Sequence, residues 1–250
     1  MVEAKTRSAE FQDVKPEDFM RFLEYAYRRD YTVPCCVEDQ NGINSDEETS
    51  PAAVPEAPPP ETPPPEPPTE PPAEPPEEPP DLYPYPEPPK PERRLKARKN
   101  TRSKFEERNY LPAGNPSVGM LKDFEPQPNS SPRQDFTPVF LAHARLYGFA
   151  SMYLVQPLRA LALYKLHKTL MSFQLYTRRV SDDLELARYA YDHGSDRKPE
   201  GTIDDLRELV VEYIACELDT IGKHKEFKQL IEEGGEFVGD FWDVVRVDLL

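Results

Sequence analysis

The side chains that most often perform chemistry are few in this chain and stand apart from one another. Its four histidines, His143, His167, His193 and His224, fall on separate predicted helices or at helix ends. None forms a His-x-x-x-His or Cys-x-x-Cys pair, the spacings that bring zinc ligands together. We therefore expect each histidine to be buried with a partner or solvated, and we expect no metal site.

The cysteines and acidic pairs form no catalytic constellation either. Cys35 and Cys36 are adjacent, which is too close for an ordinary disulfide, and Cys216 stands alone. Asp182–Asp183 and Asp204–Asp205 fall where helices are predicted to begin, so contact with the positive helix end explains them. A nucleophile elbow, a phosphate-binding glycine loop and a dinucleotide fingerprint are all missing from the sequence. We expect no enzyme, no catalytic residue, no cofactor and no small-molecule substrate.

A long proline-rich insertion divides the chain. Residues 51–91 contain most of the 31 prolines, interleaved mainly with glutamate. Such a tract cannot pack a core, and extended polyproline II structure would make it a spacer. A docking site for proline-reading domains is the alternative. The sequence predicts one disordered insertion over 38–135, acidic and proline-rich first and then basic.

The basic part of this insertion interrupts a net charge of −15. An acidic chain is repelled by phosphates, so nucleic-acid binding by the whole protein is not expected. The island at 92–108 has three interpretations: a nuclear-import or nucleic-acid patch, a contact with anionic lipid, or a counter-charge for the adjacent acidic tract. Its candidate residues are Arg93, Arg94, Lys96, Arg98, Lys99, Arg102 and Lys104.

The expected location is intracellular, in the cytoplasm, the nucleus or both. Three cysteines are a poor disulfide framework for a secreted protein. No apolar run reaches the length of a membrane span, and the first residues lack the apolar core of a signal peptide.

The clearest local pattern is an amphipathic helix predicted over 16–29, followed by a short strand over 31–34. Pro16 suits the first helical turn, because its missing N–H would be unpaired there. Apolar side chains then recur at helical spacing and form one stripe. This stripe consists of Phe19, Phe22, Leu23, Ala26 and Tyr27. Burying each Phe or Leu contributes roughly 1.5–3 kcal/mol, so the helix needs a packing partner.

Residues 136–250 predict six amphipathic helices joined by short connections. The first begins at Thr137 and ends at Gly148, the second begins at Pro157, and the third has Ser181 as its N-cap. The fourth begins at Thr202, and the last two are centred on apolar positions near 230 and 241. The predicted fold class is therefore mainly α.

The order of these segments resembles fungal BTB/POZ domain-containing proteins. Phe19 to Pro34 (Phe-Met-Arg-Phe-Leu-Glu-Tyr-Ala-Tyr-x-x-Asp-Tyr-x-x-Pro) is similar to the late helix and strand of a BTB domain. Leu141-Ala-His-Ala-Arg-Leu-Tyr-Gly-Phe-Ala150, followed by Leu158, resembles the next helix pair. Residues 166–245 are similar to the helical tail of such proteins. The resemblance implies a partial BTB segment at 1–37, an insertion at 38–135 and BTB C-terminal helices with a helical tail at 136–250.

The resemblance also implies a function. BTB proteins typically dimerise and often act as substrate adaptors for cullin ubiquitin ligases, so the expected partners are proteins, cullins or other BTB chains among them. The half of the domain that carries the usual dimer surface is not in this sequence, which leaves dimerisation open. A nuclear regulatory or scaffold protein that works through its proline-rich and basic segment is the alternative. Candidate interaction and packing residues are Phe19, Phe22, Leu23, Tyr27, Leu141, Tyr147 and Leu158, and the first three, with Ala26, are expected to pack near Leu141, Leu146 and Leu158.

Overall fold

The computed structural model describes residues 14–39, 101–111, 124–194 and 201–249, and within these ranges the protein is mainly helical, as predicted. The elements in chain order are α1 (Pro16–Arg28), β1 (Val37–Glu38), α2 (residues 101–107), β2 (Gln134–Asp135), α3 (Thr137–Met152), α4 (Gln156–Ser172), a 3-10 turn (Thr177–Arg179), α5 (Val180–His193), α6 (Asp205–Cys216), α7 (Leu218–Ile221), α8 (Lys225–Glu233) and α9 (Glu236–Leu249). Among the described residues, no helix is both long and apolar enough to cross a membrane.

The α3–α4 pair forms the centre of the core. Both helices carry apolar residues around most of their circumference, which is the pattern of a helix covered on several sides. Phe140, Leu146, Leu161 and Leu166 are completely buried. α1 and α5 pack against α3, α6 packs against α5 and α4, and α9 packs against α6. The six helices predicted in 136–250 are therefore present, with the short α7 in addition.

The end of α3 differs from the prediction. The helix runs through Gly148 and ends at Met152. Leu154 makes the turn instead, with a left-handed φ of 57°. The Val155 amide donates to the Ala150 carbonyl at 2.8 Å, which closes the helix end.

Two predicted helix starts are also wrong. The Ser181 N-cap lies inside α5, which begins at Val180 directly after the 3-10 turn, and Arg179 occupies the cap position without a side-chain cap bond. Thr202 precedes α6. Asp204 caps that helix by accepting a hydrogen bond from the Leu206 amide at 3.1 Å, the role expected for an acidic residue at a helix start.

The predicted strand over 31–34 does not form. Pro34 has no N–H to donate to a ladder, and the Tyr31 side chain turns into the core, where it is 2% exposed. Pairing begins later, where Val37 lies opposite Asp135 and Glu38 opposite Gln134 in an antiparallel bridge.

Parts of the segment predicted as a disordered insertion, 38–135, lie within the described residues. Residues 101–111 and 124–135 are placed on the helical core, because they carry apolar anchors such as Phe105, which is 2% exposed, and Leu111. The proline-rich tract at 51–91 lies outside the described residues, and so do five basic candidates: Arg93, Arg94, Lys96, Arg98 and Lys99.

Candidate protein-interaction surface and its polar supports

α1 rests on α3 through an aromatic ladder. The Phe22 ring lies 4.8 Å from the Phe149 ring, which in turn lies 4.5 Å from Tyr153. Phe19 extends the ladder outward, with its ring 6.1 Å from that of Phe22. α1 thus packs against the first helix after the insertion at Phe22, where its aromatic partner is Phe149, which the sequence did not single out.

The buried side of α1 is turned from the predicted stripe by about one residue. Asp18 and Tyr25 are buried, whereas Ala26 and Tyr27 are exposed. Asp18 tolerates this position because Arg21 donates to its carboxylate at 2.7 Å. Burial nevertheless raises the pKa of Asp18, against the opposing fields of nearby arginines.

The opposite side of α1 therefore presents apolar side chains to solvent. Met20 is 60% exposed and Tyr27 is 88% exposed, and the half-buried Leu23 lies between them at i, i+3 and i+7 spacing. We call Met20, Leu23 and Tyr27 the outer stripe. Exposed apolar residues are ordinary when scattered singly, but three on one helix face form a surface that a partner helix fits.

A second apolar group lies at the turn between α3 and α4. Met152, Tyr153 and Leu154 are all exposed, and Leu154 reaches 79%. Leu154 also occupies the left-handed backbone region, where a residue with a Cβ costs roughly 1–2 kcal/mol. This turn cluster connects to the inner side of α1 through the Tyr153–Phe149–Phe22 ladder.

The remaining candidate residues have different positions. Leu158 and Tyr147 are buried, so they are core residues and are not available to a partner. The Tyr147 hydroxyl donates to Asp204 at 2.9 Å and accepts from Arg159 at 2.6 Å, which ties α3 to the start of α6. Burial raises the pKa of Tyr147, with the Asp204 carboxylate adding to the effect. Leu141 is half-buried on α3.

A buried hydrogen bond holds the chain that leaves α1. The Tyr31 hydroxyl lies 2.7 Å from Nδ1 of His143, and both side chains are buried. Burial, together with the field of Lys165, lowers the pKa of His143 to about 3. His143 is therefore neutral at physiological pH. This agrees with the expectation of a satisfied core histidine.

Lys165 supports the same segment from α4. Its Nζ lies 2.5 Å from an Asp30 carboxylate oxygen and donates to the Tyr31 carbonyl at 2.9 Å. The ammonium also faces the Tyr31 and Phe124 rings at 4.4 and 4.6 Å from their centroids. Burial lowers its pKa, and Asp30 opposes that shift. Lys165 was not among the residues predicted from the sequence, where its one signal is a lysine inside an otherwise apolar helical stretch.

A second buried cation anchors the short sheet. Arg179 donates to Asp182 from Nε at 3.0 Å, and Asp135 lies 2.9 Å from another of its nitrogens. Asp39 is within 3.8 Å, and the Phe136 amide donates to Asp182 at 2.9 Å. One guanidinium thus connects α5 to the strands at both ends of the insertion.

Asp183, the neighbour of Asp182, is buried without such support. Among the described residues, neither of its carboxylate oxygens has a hydrogen-bond partner. Burial raises its pKa well above the usual value, and the Asp182 and Glu217 charges raise it further, against a smaller opposing field from Arg179. The sequence explained Asp182 and Asp183 by contact with the positive helix end. In the structure Asp182 also binds Arg179, and Asp183 is buried without a hydrogen-bond partner among the described residues.

Several side cavities lie among the described residues, which show no arrangement of nucleophile and base. A cavity of about 240 Å³ is lined by Cys35, Cys36, Phe124 and Thr169 among others, and its cysteines are free thiols. A second, of about 290 Å³, is lined in part by residues of α1, α3 and α5. Within the described ranges, no group of three or more His, Cys, Asp or Glu could hold a metal ion.

Comparison with known proteins adds no family. No protein-family model, curated protein or solved structure matches this chain. The BTB resemblance therefore rests on the sequence motifs alone.

Proposed function

We propose that this chain is a non-enzymatic, intracellular protein–protein interaction module of the BTB type, and that the outer stripe of α1 meets its partner. The observation that carries the proposal is the exposure of Met20 and Tyr27 on a helix whose other side is already packed on α3. Such a stripe fits the apolar face of a helix on the partner, because side chains at i, i+3 and i+7 interlock with a second helix.

The BTB resemblance makes a fungal cullin the first partner to test, with this chain as a substrate adaptor. The experiment is isothermal titration of the full chain with a purified fungal cullin N-terminal domain. The double variant Met20→Glu/Tyr27→Glu is expected to weaken binding at least about tenfold, because it places charge in the apolar contact. Trp242→Glu is the matched control, since Trp242 is 58% exposed on the distant α9.

Equal loss of binding in both variants would overturn the assignment of the surface. Absence of any binding by the folded wild-type chain would overturn the cullin assignment. If no cullin binds, the wild type, the Met20→Glu/Tyr27→Glu variant and the Trp242→Glu control serve as baits in affinity capture. The proposal then requires a captured protein that binds the wild type and the Trp242→Glu control but not the double variant.

The alternative, a nuclear regulatory or scaffold protein that acts through the proline-rich and basic segment, has less support. Arg102 of the basic island forms an ion pair with Glu217, so part of the island serves as counter-charge for the helical core. A deletion of residues 51–99 removes the proline-rich tract together with the five basic candidates that precede the docked segment, and it leaves residues 101–111 in place. Unchanged partner binding and cellular location would eliminate the alternative.

A further inference from the structure

The segment at 101–111 sits on the core in the manner of a bound peptide. Phe105 is its anchor: the ring lies 4.9 Å from the His167 ring of α4 and 5.9 Å from the Tyr213 ring of α6. His167 also binds the backbone of the segment: its Nε2 donates a hydrogen bond to the Phe105 carbonyl at 2.7 Å. We call the surface between α4 and α6 that holds Phe105 the α4–α6 groove.

Charge complementarity flanks this aromatic anchor. Arg102 forms an ion pair with Glu217, and Arg108 lies 2.7 Å from Glu208 and 2.5 Å from Glu212. The anchor and the two arginines follow an Arg-x-x-Phe-x-x-Arg pattern, in which Arg102 and Phe105 lie on α2 and Arg108 directly follows its last residue. An acidic groove with an aromatic pocket at its centre therefore selects a basic helix of this pattern.

The segment does not satisfy all the polar atoms of the groove. The second carboxylate oxygen of Glu212 and Nδ1 of His167 are buried without a hydrogen-bond partner among the described residues. A buried polar atom left in this way costs about 1–3 kcal/mol. Both atoms accept hydrogen bonds, since Nε2 of His167 carries the proton. A helix that offers donors at these two positions would bind more tightly than the segment does.

We propose that the α4–α6 groove is a recognition site for a basic helical peptide of Arg-x-x-Phe-x-x-Arg type on a partner protein, and that residues 101–111 fill it in cis until that helix displaces them. A covalently tethered segment competes at an effective concentration on the order of millimolar, so displacement requires a ligand with additional contacts. The unpaired acceptors of Glu212 and His167 provide them. This groove is separate from the outer stripe, and the two proposals stand or fall independently.

The test uses a variant of the full chain whose own segment no longer fills the α4–α6 groove. The segment is then added as a separate peptide. Phe105→Ala/Arg108→Ala removes the anchor and one arginine, and the probe is a fluorescein-labelled synthetic peptide with the sequence of residues 101–111. Fluorescence anisotropy is expected to show saturable binding to the emptied variant and at least about tenfold weaker binding to the wild type, whose groove is occupied. Adding Glu208→Lys to the emptied variant should abolish binding, whereas adding Glu232→Lys on the exposed side of α8 should not.

Three results would overturn the proposal. The first is a folded emptied variant, by circular dichroism, that does not bind the peptide. The second is equal binding by wild type and emptied variant, which would place the peptide elsewhere. The third is a concentration-dependent wild-type dimer that Glu208→Lys dissociates, which would make a second copy of the chain the occupant.

A second variant covers the case in which the emptied chain does not fold. Arg102→Glu/Arg108→Glu retains Phe105 and reverses only the flanking charges. Amide hydrogen exchange is expected to accelerate at least about tenfold in 101–107 and to stay unchanged in α4 and α6. Uniform acceleration of all three would show that the segment is an integral part of the fold, and the proposal would be wrong.

Discussion

Replacing Asp182 and Asp183 by asparagine, one at a time, should change the stability of the protein in opposite directions. The two residues are neighbours and each is 1% exposed. Asp182 accepts hydrogen bonds from Arg179 and from the Phe136 amide, whereas Asp183 has no hydrogen-bond partner among the described residues. The comparison isolates the effect of a partner at constant burial and constant side-chain size.

The sign of the pH dependence follows from the raised pKa of Asp183. A carboxyl whose pKa is higher in the folded state binds its proton more tightly there, so its contribution is fully present below the unfolded pKa near 3.9. That contribution is lost as the pH rises from there towards the folded pKa, at about 1.4 kcal/mol per pH unit for one proton. Asp183→Asn removes this loss and should therefore stabilise the protein at pH 7 relative to wild type.

Asp182→Asn should have the opposite effect. Burial raises the pKa of Asp182 too, against the hydrogen bonds from Arg179 and the Phe136 amide. Asp182→Asn, however, also leaves the buried Arg179 with a weaker acceptor, and breaking a buried pair by removing one partner costs about 3–5 kcal/mol. Asp135 and Asp39 remain within reach of Arg179, so we expect a loss of about 2–3 kcal/mol.

Urea unfolding of the full chain, followed by far-UV circular dichroism at about pH 5 and about pH 7, measures both effects. Circular dichroism is preferred because Trp242 is 58% exposed and reports burial poorly. Wild-type stability should fall between the two pH values relative to that of Asp183→Asn. The reasoning is refuted if Asp183→Asn is less stable than wild type at both, since Asp183 would then have a partner in the folded protein.

Other substitutions test the supports of α1. Because the pKa of His143 is lowered to about 3, its contribution to stability is present above pH 6.5 and is lost as the pH falls towards 3; its NMR ring signals should show no protonation at about pH 5. Tyr31→Phe removes the bond to His143 and should cost about 1–2 kcal/mol in urea unfolding. Asp30→Asn leaves Lys165 buried without its counter-ion and should cost about 1–3 kcal/mol in urea unfolding. This cost is smaller than that of breaking a fully buried pair, because Asp30 is partly exposed. An unchanged unfolding midpoint would contradict the ion pair. Leu154→Gly should stabilise the protein by about 0.5–1 kcal/mol, since glycine adopts a φ of 57° freely, and a loss of stability would show that the leucine packs on the fold.

Periodicity predicted the helices well but not the orientation of α1. The predicted and observed stripes share Phe22 and differ by about one residue, because both sides of this helix carry large apolar or aromatic groups. Asp18 lies on the buried side, where its carboxylate pairs with Arg21. Apolar spacing alone assigns an aspartate to the solvent side of a helix, so it predicts the wrong orientation. The exposed Met20 and Tyr27 follow from the position of Asp18.

The buried cations were not predictable from local sequence. Lys165 pairs with Asp30 and Arg179 with Asp135, so each pair joins positions far apart or on different elements. Charged residues are rarely buried unless paired, and a single sequence does not reveal which distant acid is the partner. For the same reason local sequence does not show that Arg102 pairs with Glu217, at the end of α6, or that Arg108 pairs with Glu208 on α6.

The length of the proline-rich insertion should matter little to the stability of the fold. Arg179 and the β1–β2 bridge hold residues 37–39 beside 134–135, so the ends of the insertion are fixed by contacts that do not involve its interior. Each doubling of a flexible loop costs only about 0.6 kcal/mol. Deleting residues 51–91 shortens the 40–100 stretch roughly threefold and should stabilise the chain by about 1 kcal/mol in urea unfolding. A loss of several kcal/mol would mean that the tract packs on the helical core. The matched control is Asp135→Asn, which leaves the loop length unchanged but weakens the Arg179 clamp, and it should destabilise the protein where the deletion does not.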